Sequence, residues 1–289
     1  MDSILSIGEA SGNLAHKIIE SANDQHRPSL YKFSETKKGR NTFCLGAVRD
    51  MEHAEERAIS QSRKIKKFLS DSGPNVLFVL VGSTDISGAS LSILEHLKER
   101  NVHILYVQPD LELLDGPKRK KEKVTFQILQ EMTRSGLFER MFIVNNNNMH
   151  NIVLDVPAAL FWEKINEGIS QMFRLVTHYS SGDAILGSKK ALTDAEKIST
   201  FGVVNFDSLD ESLVFDMSEI TSKEYYYVVN KELLEKDGSL VRQISDSIKQ
   251  KIKSGGVGIS YSIFSSDFEG TQVYCRVTTD RVQSTALID

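Results

Sequence analysis

Cysteine is almost missing from this chain: of 289 residues only Cys44 and Cys275 are cysteine, far apart and without CxxC spacing. That excludes a disulfide scaffold and a thiolate zinc site, and it suits a reducing compartment. Long apolar runs are missing as well. No stretch of about 18 consecutive apolar residues occurs, so no membrane-spanning helix is expected. Positive charge is not in excess. With 35 Lys and Arg against 39 Asp and Glu, the formal net charge of −4 creates no global field to draw nucleic acid or an anionic membrane. The seven His show no HxH or HxxxH spacing, so no metal held by imidazole is expected. The opening Met1-Asp2-Ser3-Ile4-Leu5 has neither the basic start nor the long apolar core of a secretory signal, and the expected location is the cytoplasm. No internal repeat or low-complexity tract is present.

What the chain does have is an alternation of strand and helix patterns. Its length suffices for two packed domains or one large one. Residues 3–8 read as a short apolar strand, followed by a small-residue turn and an amphipathic helix through Ile19. A charged segment, 34–41, leads to a strand at 42–45 and a helix over 52–69. Residues 75–82 are continuously apolar, the mark of a strand buried on both faces of a parallel sheet. A helix over 90–100 leads into a second buried strand at 102–107, and a helix over 120–135 into a third at 141–144. The alternation predicts an α/β fold, with a doubly wound Rossmann-like domain and a nucleotide-sized crevice at its strand ends. Pro157 opens one long helix to Val176. A polar segment follows, and Thr193-x-x-Glu196 has the form of a capping box that opens a further short helix. Beyond Asp210, a strand at 225–229, a helix over 239–254 and strands at 257–264 and 272–278 predict a smaller α+β domain. The expected organisation is 1–176 for the nucleotide-binding domain with its connecting helix, 177–204 for an insertion and linker, and 205–289 for the C-terminal domain.

In a doubly wound sheet, ligands sit beyond the carboxyl ends of the strands, so the turns there carry the chemistry. The first is Gly8-Glu9-Ala10-Ser11-Gly12-Asn13, whose small residues let backbone amides approach an anion at a helix start. Leu45-Gly46-Ala47 follows the second strand. Gly82-Ser83-Thr84-Asp85-Ile86-Ser87-Gly88 follows the third and offers amides and hydroxyls to phosphate. Asp115-Gly116-Pro117-Lys118-Arg119 and Asn145 follow the fourth and fifth. Each alone is also ordinary punctuation before a helix. The segment Gly202-Val203-Val204-Asn205-Phe206-Asp207-Ser208-Leu209-Asp210 gathers an amide and two carboxylates, in a turn entering a helix, where they could orient a water or a cation. The same residues also suit a plain N-cap, with Asp207 or Ser208 as the cap. Phe161 and Trp162 read as core residues, and the basic run 118–123 as a solvated helix start.

The order of these turns resembles the tubulin/FtsZ superfamily, from Ile4 to about Asp210 and more loosely beyond. Gly8 to Asn13 looks like that family's first nucleotide loop, and Leu45-Gly46-Ala47 followed by Glu52 is similar to its LGAGANPE loop. Asp115 to Arg119 resembles EGKKR, Val144-Asn145 falls at the family's Pro-Asn, and Gly202 to Asp210 resembles GLINLDFAD. The resemblance implies a GTP or GDP site built from Gly8, Glu9, Gly12, Asn13, Gly46, Ala47, Gly82, Ser83, Thr84, Ser87, Gly88, Asp115, Arg119, Asn145 and Asn166. Mg2+ is admitted with the nucleotide, beside Asp85, and no separate metal site is expected. It also implies a head-to-tail homopolymer in which Asn205, Asp207 and Asp210 of one subunit act catalytically on GTP held by the next. No membrane and no direct nucleic-acid contact are implied. The short form looks more like phage- or plasmid-borne relatives, which would place it in a host cytoplasm. Where the family reads GGGTGTG, this chain carries Thr84, Asp85 and Ile86. That departure keeps open a filament or scaffold protein with a degenerate nucleotide site that does not hydrolyse.

Overall fold

Apolar runs become the inner strands, and their polar borders become the turns. The computed structural model describes all residues except 22–26, 37–38, 40, 154–155, 189–192, 194 and 285–289. Strands β1 (Ser3–Ile7), β2 (Ser29–Ser34), β3 (Thr42–Cys44), β4 (Asn75–Val81), β5 (Asn101–Gln108) and β6 (Arg140–Asn145) pair in parallel. Their order is β3-β2-β1-β4-β5-β6, so the chain reverses its direction of travel between β1 and β4, the place where doubly wound sheets open a crevice. Every residue of β1 and the five central residues of β4 are buried, as strands covered on both faces must be.

Helices α1 (Gly8–Glu20), α2 (Met51–Ser60), α3 (Ser62–Phe68), α4 (Ser90–Leu94), α5 (Gly116–Arg134), α6 (Asn146–Ile152) and α7 (Phe161–Ser181) cover the sheet. One face buries Leu5, Phe33, Phe78, Ile104 and Phe126 in a single core. The other buries Ile4, Leu14, Leu77, Leu105, Ile169 and Phe173, with α1 and α7 side by side.

The second half continues the same sheet. Strands β7 (Leu186–Ser188), β8 (Ile198–Val204), β9 (Glu211–Leu213), β10 (Ser222–Asn230), β11 (Gly258–Ser266) and β12 (Thr271–Thr279) extend it in the order β6-β8-β12-β10-β11-β7, with β9 beside β8. The joint is narrow: β6 and β8 share only the parallel pairs Met141↔Ile198 and Phe142↔Ser199. Helix α7 reinforces it, because the Phe173 ring lies 5.1 Å from Phe142 and 6.3 Å from Phe201. The Tyr179 ring meets Phe264 at 4.7 Å. Helices α8 (Lys231–Lys236) and α9 (Leu240–Ser254) pack on the opposite face, where Leu240, Ile244 and Ile248 join Tyr225, Tyr227 and Val273. Among the described residues, no helix is long and apolar enough to cross a membrane.

Several elements depart from the sequence expectation. Strand β2 is absent from it, because Leu30, Tyr31 and Phe33 are interleaved with Lys32 and Ser34 and run straight into a charged segment. The helix expected over 52–69 divides at Gln61, whose side chain donates to the Leu45 carbonyl. Helix α5 starts at Gly116, capped by the Asp115 carboxylate accepting from the Lys118 amide. Helix α7 begins at Phe161 and runs past Val176 to Ser181. The segment expected as insertion and linker, 177–204, holds β7 and the central strand β8. The Glu196 carboxylate does accept from the Thr193 amide and hydroxyl, but β8 starts at Ile198 and no helix follows among the described residues.

Candidate nucleotide site

The carboxyl end of β1 opens into a cavity of about 940 Å3, a volume in the range that holds a nucleotide-sized ligand. One wall is the start of α1, with Gly8, Glu9, Ala10, Gly12 and Asn13. No side chain caps α1, whose Ncap position is the apolar Ile7. A helix start without a side-chain cap suits an anion. Gly8 has φ +83 and a Cβ there would stand 2.9 Å from Ile86 Cγ2, so both backbone and space require glycine. Ser11 is turned inward, accepting from the Val81 amide.

The 82–88 turn is built differently from a glycine cradle. Gly82 is glycine because α5 presses on it: a Cβ would run into the Glu122 carboxyl oxygens. Gly88 is glycine because a Cβ would run into the Met51 carbonyl oxygen. Ser83 takes φ +58, and Ser87 Oγ donates to the Thr84 carbonyl. Only Thr84 and Ile86 of this turn line the cavity, and the Thr84 hydroxyl is buried without a hydrogen-bond partner. Asp85 is turned away and neutralised by Lys118 at 3.2 Å.

The remaining expected residues divide. Asn166, on α7, lines the cavity. Gly46 and Ala47 do not. Gly46 (φ +84) closes a turn against Arg57, which donates to the Leu45 carbonyl. Asp115 and Arg119 do not line it either, for Asp115 caps α5 and Arg119 donates to the Leu114 carbonyl. Asn145 caps α6 and donates to the Gln108 side chain, which leaves its neighbour Asn146 on the cavity wall. Trp162, expected in the core, is 62% exposed and stands on the rim.

A third wall went unread in the sequence because β2 did. Lys32, Ser34, Glu35 and Thr36 line the cavity, with Thr42 of β3. Lys32 Nζ donates to His16 Nε2, and burial together with the Lys32 charge lowers the proton affinity of that imidazole. The signal was present: Tyr31 and Phe33 alternate with Lys32 and Ser34, as a strand with one core face and one open face should.

The 205–210 segment is not the start of a helix. It is the turn of a hairpin that joins β8 to antiparallel β9. Asn205 Oδ1 accepts from the amides of Asp207 and Ser208, and the Ser208 hydroxyl donates to Asp210. Because β8 is parallel to β6, this turn follows the carboxyl end of its strand, as do the turns that line the cavity. None of Asn205, Asp207 and Asp210 lines the cavity. The hydrogen bonds that hold Asn205 and Asp210 are those of a tight turn.

No protein-family model matches the sequence, and no curated protein matches it by sequence. Solved structures do match in architecture. A GTPγS-form protofilament of TubZ from Bacillus thuringiensis serovar israelensis superposes with a TM-score of 0.72 at 12% identity, covering 96% of this chain and 86% of that one. CetZ2 from Haloferax volcanii, as a GTPγS-bound protofilament, gives 0.67 at 13% identity over 96% and 92%. An empty FtsZ dimer from M. jannaschii gives 0.61 at 14% identity over 100% and 94%. The architecture of this chain is the tubulin/FtsZ fold.

Proposed function

We propose that this protein binds a guanine nucleotide in the β1 cavity and assembles end to end into filaments. The observation that carries the reading is the set of groups the cavity gathers: the start of α1, which has no side-chain cap, and the Lys32 ammonium, suited to phosphate, together with the Trp162 ring and the Asn13 and Asn166 amides, suited to stacking on and hydrogen bonding a base. Structures of the same fold hold GTPγS as protofilaments, or GDP as a monomer, which supports both halves of the proposal. Equilibrium binding of GTP, GDP and ATP tests the ligand. Sedimentation against protein concentration, with each nucleotide and with none, tests assembly. Preference for ATP would overturn the base assignment, and monomers at every concentration would overturn the polymer.

Charge reversal at Lys32 separates this cavity from any other anion-binding surface. Lys32→Glu is expected to weaken GTP binding by about tenfold or more, since it sets a negative charge against the phosphates across a partly desolvated gap. Unchanged affinity would place the phosphates elsewhere.

A second reading, a filament protein that does not turn over its nucleotide, is favoured by the position of the hairpin turn: it lies at the same end of the sheet as the cavity, whereas in an end-to-end stack a loop serving the neighbour's cavity would lie at the opposite end. Asp210→Ala is expected to cost about 1 kcal/mol or less of stability, because it removes one exposed hydrogen bond. It should leave both GTP affinity and any phosphate release at wild-type values. Loss of phosphate release alone, with affinity intact, would return Asp210 to the catalytic role the sequence resemblance implies.

A further inference from the structure

Behind the turn that closes the cavity lies a carboxyl group that takes no part in its lining. Glu122, on α5, is fully buried. Its oxygens sit against the backbone of Gly82, so close that no Cβ fits between them. From β5 the Tyr106 hydroxyl donates to Oε1, while Oε2 has no hydrogen-bond partner. The Ser83 amide favours the ionised form from the side of the turn. The surrounding rings are apolar, with Phe126 stacked 5.2 Å from Tyr106.

The nearby charges are already committed. On α5, Lys118 pairs with Asp85 of the turn, and Arg119 donates to the Leu114 carbonyl. Lys121 pairs with Glu52 of α2 at 3.5 Å, out in solvent. No cation among the described residues forms an ion pair with the Glu122 carboxyl. Burial pushes it up to about 7, so neutral solution holds a mixture of its two forms.

An anion arriving beside Thr84 would meet this carboxylate through one thickness of backbone. Two negative charges at low effective dielectric repel, and protonation of the carboxylate removes that repulsion.

We propose that phosphate binding in the cavity is coupled to proton uptake by Glu122, which makes this buried acid the sensor of pH for the nucleotide site. The inference rests on the nucleotide reading above. Binding raises the proton affinity of the carboxyl, so GTP affinity rises as pH falls through the neutral range, at a slope below the limit of about tenfold per pH step of one that uptake of a whole proton would give. The coupling is reciprocal, and a proton is taken up as the nucleotide binds.

The test is titration calorimetry with GTP at pH 6 and 8, in two buffers of different ionisation enthalpy, on the whole chain and on Glu122→Gln. The nucleotide's own titration is common to both proteins and cancels in the comparison. Wild type should take up a fraction of a proton more than Glu122→Gln. The variant should bind at pH 8 about as tightly as wild type does at pH 6. Should Glu122→Gln not fold, Tyr106→Phe serves in its place: without the hydroxyl donor the carboxylate is less favoured, and the midpoint of the affinity curve should move to higher pH. Equal proton counts in wild type and Glu122→Gln, or an unmoved midpoint in Tyr106→Phe, would overturn this inference alone. No GTP binding at any pH would overturn the nucleotide reading and this inference with it.

Discussion

Ile86→Gly is expected to cost the fold about 3–5 kcal/mol, the sum of an emptied core site and a more flexible unfolded chain. Ile86 is only 3% exposed and belongs to the core beneath β1 and β4. Its methyl group also lies against Gly8, at the position a Cβ there would need. Restoring glycine at this turn therefore removes packing before it offers backbone to a phosphate. Urea unfolding of the protein without nucleotide should show the loss as a lower midpoint with an unchanged slope. GTP affinity of the folded variant should not rise. A variant as stable as wild type would mean that Ile86 is an ornament of the turn and not part of the core.

Glu211→Ala is expected to be as costly, about 3–5 kcal/mol. Lys223 and Lys251 both close on this carboxylate at 2.6 Å, with side chains only 19% and 15% exposed, and Tyr225 donates to it as well. Removing the anion takes the ion pair from two largely buried cations. Lys251 also donates to the carbonyl of Leu209, which has φ +64, so the hairpin turn loses its anchor together with the ion pair. Burial alone would raise the Glu211 carboxyl, but the hydrogen bonds from Lys223, Lys251 and Tyr225 outweigh it and hold it below the ordinary value. A lowered folded value means stability that is complete above the unfolded value, near pH 4.3, and lost as pH falls through the folded one. The gap between wild type and Glu211→Ala should thus be widest near neutrality and should narrow in acid. A gap that is constant with pH would show that lost packing, and not charge, is what the substitution removes.

The parallel half of the fold was legible because its inner strands are continuous apolar runs and its helices carry regular spacing. Residues 75–82 could be nothing but a doubly covered strand. Strand β2 was not legible, since a strand with one face on the cavity must carry polar residues there, and Lys32 and Ser34 broke the pattern. The site followed the same rule. Gly8, Glu9, Gly12, Asn13, Thr84 and Asn166 line the cavity, and the α1 turn and the long helix that carry most of them are legible from local spacing. Gly82 and Gly88 were read as phosphate contacts, yet the space they leave is taken by Glu122 and Met51. Packing against a partner distant in sequence leaves no local trace, so a glycine that admits a neighbouring helix looks like one that admits a ligand. The segment at 205–210, expected to enter a helix, is a hairpin turn for a related reason. Its composition fits a turn anywhere, and only the direction of β8 fixes which end of the sheet it occupies.

Trp162 stands on the cavity rim, more than half of its surface in solvent, and it is the chain's single tryptophan. Ultraviolet-excited indole emission from this protein therefore comes from the mouth of the cavity and from nowhere else. A purine laid over that ring would quench it directly. Occupancy can then be followed in real time on unlabelled protein by the intensity of that emission.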